Sequence, residues 1–108
     1  MKTHITRSHL EEYEISLVNK IKSLYKQVSS DDSGKTEIQV VLDRGGCIVW
    51  MDIICSSGHK HLDEYAKKII EDACPFKDFP ENSLHHYLDI IITIIFKHKE
   101  NHERNVSW

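Results

Sequence analysis

The sequence has little of what marks a disordered linker, an exported precursor or a nucleic-acid binder. It contains two prolines and four glycines in 108 residues, too few for a flexible linker. Fourteen Lys and Arg against seventeen Asp and Glu give a formal net charge of −3, so the basic excess that binds phosphates is missing. The start, Met1–His9, has no apolar core of a signal peptide. The longest apolar run, Ile90–Phe96, is far shorter than the roughly 20 residues of a membrane-spanning helix. We expect no nucleic-acid partner and no membrane insertion of this segment.

What is present is the composition of one globular domain. The chain is 40% hydrophobic and 29% charged, which is ordinary for a folded protein, and its length suits one core rather than two. We predict a domain over residues 9–97, between a flexible segment at 1–8 and a flexible tail at 98–108.

Two amphipathic helices are predicted from apolar residues that recur at three- and four-residue steps. The first covers about residues 9–28 and begins at the capping-box pattern Ser8-x-x-Glu11. The second covers roughly 61–74 and is ended by Pro75.

Three strands are predicted from alternation and β-branched content. The first runs from Thr36 to Asp43 and is joined through Arg44-Gly45-Gly46 to a second, Cys47 to Ser56. In the second strand the odd-numbered residues, from Cys47 to Cys55, form a uniformly apolar face. The third strand, Tyr87 to Lys97, is rich in isoleucine.

The order of these elements, αββαβ, predicts an α+β fold. A right-handed crossover places the third strand parallel to the second. With the third strand beside the first, the three form an antiparallel sheet of order 2-1-3 with both helices on one face. The third strand is then an edge, and its open main-chain groups could accept a further strand.

Four stretches resemble the C-terminal periplasmic domain of TonB and its relative TolA, over about residues 10–97. The clearest is a Ser-Ser-Gly turn followed by Leu-Asp; a second is a Pro-Phe/Phe-Pro segment. A third is the Asp43–Gly46 turn, and the closing strand ending in Phe96-Lys97 is the fourth. The residues of the first two stretches are Ser56, Ser57, Gly58, Leu62, Asp63, Pro75, Phe76, Phe79 and Pro80, and we expect them to be structural.

The resemblance implies a protein that is not an enzyme and needs no cofactor. In the family, an extended peptide of an outer-membrane transporter, the TonB box, adds as a strand beside the last strand of the domain. It thereby supports uptake of siderophore-bound iron or vitamins in Gram-negative bacteria. Such a protein is anchored in the inner membrane, where its partners are ExbB and ExbD, and its C-terminal domain is periplasmic. A chain complete as given would instead be cytoplasmic.

The resemblance and the edge position point to the third strand as the partner-binding site. The candidate residues are Ile90, Ile91, Ile92, Thr93, Ile94, Ile95 and Phe96. Strand addition suits them because main-chain hydrogen bonds provide the affinity. We assign the even-numbered ones to the core. Val41, Trp50 and Ile54 could form an apolar patch on the outer face, for a partner or a homodimer.

Two alternative functions remain open. A TolA-type domain would bind Pal, TolB, colicins or phage coat proteins, and the long first helix is more like TolA. A cytosolic αββαβ module could bind a metal through histidine pairs such as His59 and His61, or His98 and His102, although no recognisable ligand spacing supports a metal site. We also expect the three cysteines to be buried free thiols.

Overall fold

The protein folds as a four-stranded antiparallel sheet with two helices. We analysed a computed structural model that describes residues 2–6, 11–25, 32–81 and 83–97. The elements are β1 (Lys2–Thr6), α1 (Glu11–Leu24), β2 (Gly34–Asp43), β3 (Ile48–Cys55), α2 (Lys60–Ala73) and β4 (Tyr87–Phe96). The strand order is β1-β4-β2-β3.

The predicted α+β class and the predicted order of three strands are confirmed. The three strands expected from alternation are β2, β3 and β4, and β2 pairs antiparallel with both of the others. The long ladder between β2 and β4 runs from Gly34↔Phe96 to Asp43↔Tyr87. Both helices contribute to a single core on one face of this sheet.

A fourth strand, β1, was missed from the sequence and lies in the segment predicted to be flexible. β1 pairs antiparallel with β4, from Lys2↔Ile95 to Thr6↔Ile91. The prediction of a flexible segment over 1–8 is therefore wrong for Lys2–Thr6. Five residues are too short for alternation to stand out. The available signal was its three β-branched residues, Thr3, Ile5 and Thr6.

The core is formed by the predicted apolar faces. Tyr13, Leu17 and Ile21 of α1 are buried, as are alternate residues of β2 and β4. The buried residues of α2 are Leu62, Ala66, Ile69, Ile70 and Ala73. α2 ends at Ala73, two residues before Pro75, as the preference of a residue before proline for extended backbone predicts.

β3 departs from the simple alternation that the sequence predicted. The pairing with β2 shifts twice, between Glu37 and Ile38 and between Val41 and Leu42. Because an extra residue in one strand reverses which face the following side chains occupy, Val49 is exposed. Ile48, Met51 and Ile53 pack against the core instead. The uniformly apolar odd-numbered face predicted for this strand is therefore wrong.

Candidate strand-addition site

β4 lies inside the sheet rather than at its edge. β2 occupies one side of β4 along its whole length, and β1 covers the other side opposite Ile91 to Ile95. The expectation of an open edge at Ile90–Phe96 is therefore wrong for this conformation. The reason is the unforeseen strand, which fills the main-chain donors and acceptors of β4 that a partner strand would use.

The side chains of β4 fall into the two sets that the sequence predicted. Ile90, Ile92, Ile94 and Phe96 are buried in the core shared with the helices. Ile91 and Ile95, on the opposite face, are half-buried, while Thr93 between them is only 1% exposed. Ile91 and Ile95 lie at the two ends of the β1 ladder. A strand at this edge therefore lies alongside both of them.

The opposite edge of the sheet belongs to β3, which pairs with β2 alone among the described strands. Trp50 lies opposite Val41 and is 48% exposed. Val49 and Ile54, at the two register shifts, are 50% and 47% exposed. Val41 and Trp50 are thus neighbours, as the expected patch requires. Ile54 lies apart from them, at the register shift between Glu37 and Ile38.

The Ser-Ser-Gly turn and Asp63 form one hydrogen-bonded unit at the end of β3. Asp63 Oδ1 accepts hydrogen bonds from the Ser57 N–H at 2.9 Å, from Ser57 Oγ at 2.8 Å and from Thr36 Oγ1 at 2.8 Å. Ser56 Oγ donates to Asp63 Oδ2. The carboxylate therefore ties β2 and the turn to the first residues of α2.

These hydrogen bonds determine the charge state of Asp63. Burial alone would raise the pKa of the carboxyl, but the donors from Ser56, Ser57 and Thr36 lower the pKa to about 2. The side chain is a structural anion at any physiological pH, which agrees with the structural role expected for the motif.

The Pro-Phe/Phe-Pro segment holds the turn between β2 and β3. The Phe76 N–H donates to the Gly46 carbonyl at 2.8 Å, and the Phe79 N–H donates to the Arg44 carbonyl at 2.9 Å. Gly46 has a φ of +78°, and a Cβ there would lie 2.3 Å from the Phe76 carbonyl oxygen. Only glycine meets both requirements at this position.

The helix α1 also contacts the Pro-Phe/Phe-Pro segment. Tyr13 donates from its hydroxyl to the Lys77 carbonyl at 2.7 Å, and its ring meets that of Phe79 edge to face at 5.3 Å. Burial and the nearby Asp78 raise the pKa of Tyr13 to about 12, so the phenol stays a donor. Lys20 donates to the Pro75 carbonyl at 2.7 Å. Together with Phe76 and Phe79 in the core, these contacts make the segment a structural clamp.

A family model described as TonB C terminal matches residues 10–93.

The chain belongs to the TonB C-terminal domain family. The match covers more than half of the chain and includes the Ser-Ser-Gly turn, the Pro-Phe/Phe-Pro segment and most of β4. It does not include β1. Searches of curated proteins and of solved structures gave no match. The resemblance noted from the sequence is therefore confirmed at the level of the family, while the choice between TonB and TolA is not decided by it.

Membership in the family assigns the general kind of function. TonB C-terminal domains are interaction domains of the periplasm that contact outer-membrane transporters, and the cytoplasmic alternative gains no support. In the residues that the structure describes, no helix is long and apolar enough to cross a membrane.

The structure gives no support to a histidine metal site in the part of the chain that it describes. Among the described residues, no three His, Cys, Asp or Glu side chains are grouped as ligands of one metal ion. His59 and His61 instead contact Asp32, whose Oδ2 lies 3.7 Å from His59 Nδ1 and 3.2 Å from His61 Nε2. His98 and His102 lie outside the described residues.

The cysteines are free thiols, but the expectation that they are buried is wrong. Cys47 and Cys55 are exposed, and Cys74 is half-buried with its Sγ 3.6 Å from the Gly46 carbonyl oxygen. The reason is the register of β3, which places Cys55 opposite the outer-face residue Glu37 and leaves Cys47 in the turn before the strand.

Proposed function

We propose that this domain binds an extended segment of an outer-membrane transporter, the TonB box, as an added strand along β4. In this proposal it serves energy-dependent uptake of iron chelates or vitamins and has no catalytic role. Its inner-membrane partners, ExbB and ExbD, would be contacted through an anchor segment outside residues 1–108.

One observation supports the proposal above the others. The edge of β4 carries an added antiparallel strand, β1, in register from Ile91 to Ile95. The main chain there is therefore extended and regular enough to accept a strand. Its core-facing side chains belong to the buried cluster shared with α1, α2 and β2. Strand addition draws its affinity from such main-chain groups and tolerates variation in the guest sequence.

The test is a titration of isotope-labelled protein with a synthetic TonB-box peptide, followed by amide chemical shifts. We expect the largest shifts along residues 87–97 and in β1. The control peptide carries a proline at its centre, which removes a main-chain donor and should abolish binding. Two results would contradict the proposal: chemical-shift changes confined to β3, or no binding of the TonB-box peptide to the domain or to its variants described below.

A TolA-type function is the second candidate, favoured by the continuous helix α1 that precedes β2. The two are separated by deletion of the gene. Loss of outer-membrane integrity with normal iron-chelate uptake would indicate the TolA type, and the reverse phenotype the TonB type.

A further inference from the structure

We propose that β1 is a built-in competitor for the partner-binding edge, and that a guest strand binds only after β1 leaves β4. This inference rests on the proposed strand-addition function. The observation behind it is the register, in which Lys2–Thr6 cover β4 from Ile95 to Ile91. These positions lie within the segment, Ile90–Phe96, that a guest would use. One β4 edge cannot pair with two strands, so β1 and the guest exclude each other.

β1 is the strand of the sheet that can leave at the least cost. It pairs with β4 alone and supplies five residues, whereas β2 supplies ten residues between two partners. Its sequence, Lys-Thr-His-Ile-Thr, contains a single strongly apolar residue. Edge elements with few apolar contacts open locally at a small fraction of the free energy of global unfolding.

β1 also contacts α1, but the residues that build the core belong to the helices, to β2 and β4, and to the segment after α2. Ile90, Ile92 and Ile94 are fully buried in the core, on the face packed by the helices. The opposite edge of β4 remains paired with β2 along its whole length. In the proposal, departure of β1 releases its contacts with α1 and exposes the main-chain groups of β4 from Ile91 to Ile95, while β4 stays paired with β2.

Competition of this kind sets the apparent affinity for a guest. The measured dissociation constant equals the intrinsic value divided by the fraction of molecules in which β1 is undocked. If β1 is docked in about nine molecules of ten, removing it tightens binding about tenfold. The hazard of self-association through an open strand edge is reduced at the same time, since docked β1 covers β4 from Ile91 to Ile95.

Two full-length variants of opposite effect test the inference. The open variant carries His4→Pro and Ile5→Pro. Along a strand, the main-chain N–H groups point alternately toward and away from the neighbouring strand, so one of these two consecutive residues faces β4. Proline has no N–H, and the double substitution therefore removes at least one hydrogen bond of the ladder. In the locked variant, Thr6→Cys with Ile91→Cys, a disulfide joins two residues that are directly opposite in the register. Their Cα atoms are about 4.5–5.5 Å apart, within the range that a disulfide spans. Cys47, Cys55 and Cys74 are replaced by Ser in the locked variant and in its control.

The probe is a fluorescent synthetic peptide with the sequence of residues 1–8. We expect the open variant to bind it about tenfold or more tightly than the parent chain, with amide shifts along β4. The oxidised locked variant should not bind it, and reduction should restore binding to the level of the control. Equal binding by the oxidised and reduced locked variant overturns the inference, even if the open variant fails to fold.

A TonB-box peptide titrated into the same variants separates this inference from the proposed function. If that peptide binds the parent, open and locked forms equally, β1 is no competitor, while the peptide-binding function stands at another site. If it binds none of them although the peptide of residues 1–8 binds the open variant, the competitor role stands and the proposed function fails.

Discussion

The two edges of the sheet are protected in different ways. At the β3 edge the strand is irregular, with two register shifts, and both of its ends are tied down: the turn at Gly46 by the Phe76 segment, and the other end by Asp63. At the β4 edge the strand is regular and is covered by the short strand β1. Bulges make an edge a poor template for pairing, whereas a regular edge needs a cover. The β3 edge is thus held at both ends by hydrogen bonds, whereas the β4 edge is covered by a short strand that our proposal allows to leave.

The largest effect on this comparison is expected from Gly46→Ala, which attacks the β3 edge at its turn. The new Cβ would lie 2.3 Å from the Phe76 carbonyl oxygen at a φ of +78°. We expect a loss of about 3 kcal/mol in the free energy of unfolding, from strain and displacement of the clamp, measured by urea denaturation.

Two other glycines provide the controls. Gly58→Ala adds a Cβ at a φ of +90° with no atom within 4 Å, so only backbone strain of about 1 kcal/mol is expected. Gly45→Ala meets Asp43 Oδ1 at an ordinary 3.5 Å and should be close to neutral. Equal losses in all three variants would show that the Phe76 contact does not stabilise the β3 edge.

The second-largest effect is expected from Asp63→Asn, which lies at the other end of the β3 edge. The pKa of Asp63 falls from 3.8 to about 2 on folding. Because the pKa is lower in the folded state, the ionised carboxylate stabilises the fold above about pH 4. This stabilisation is lost as the pH falls from about 4 to 2. Because the carboxyl is partly exposed and solvent screens its interactions, we expect the shift to contribute about 1 kcal/mol. The variant should lose that much at neutral pH and show a flatter acid dependence of its unfolding free energy.

Asp52→Asn on β3 is the matched control, because that carboxylate is exposed. It should leave both the neutral-pH stability and the acid dependence nearly unchanged. An acid profile of Asp63→Asn identical to that of the parent would show that the hydrogen-bonded unit does not depend on the charge.

The smallest effect is expected from Trp50→Ser, which changes the outer face beside the β3 edge. Trp50 is half-exposed opposite Val41, so its loss should cost at most about 1 kcal/mol. If guests use β4, affinity for a TonB-box peptide should stay within about twofold of the parent. Sedimentation of the parent and the variant tests the expected homodimer, with Leu84→Ser as the exposed apolar control. A large loss of peptide affinity would move the partner site to the β3 side.

Much of the structural frame could be read from local patterns. The face of α1 with Tyr13, Leu17 and Ile21 and the alternation of Ile38, Val40 and Leu42 identified their elements correctly, because each repeats a period over several turns or residues. The motif residues were recognised as structural. Why they are structural could not be read, since Thr36 meets Asp63 and Gly46 meets Phe76 across long stretches of chain.

Local patterns were enough to predict the helices and the three long strands, because burial of one face imposes a period that is visible residue by residue. Two further features depend on how the strands pair. The register shifts in β3 turned Val49 outward, and the pairing of Lys2–Thr6 with β4 closed the edge on which strand addition depends. The first depends on the pairing register of two neighbouring strands, and the second on hydrogen bonds between segments at opposite ends of the chain. A five-residue strand or a single inserted residue is too short to leave a periodic trace in the sequence.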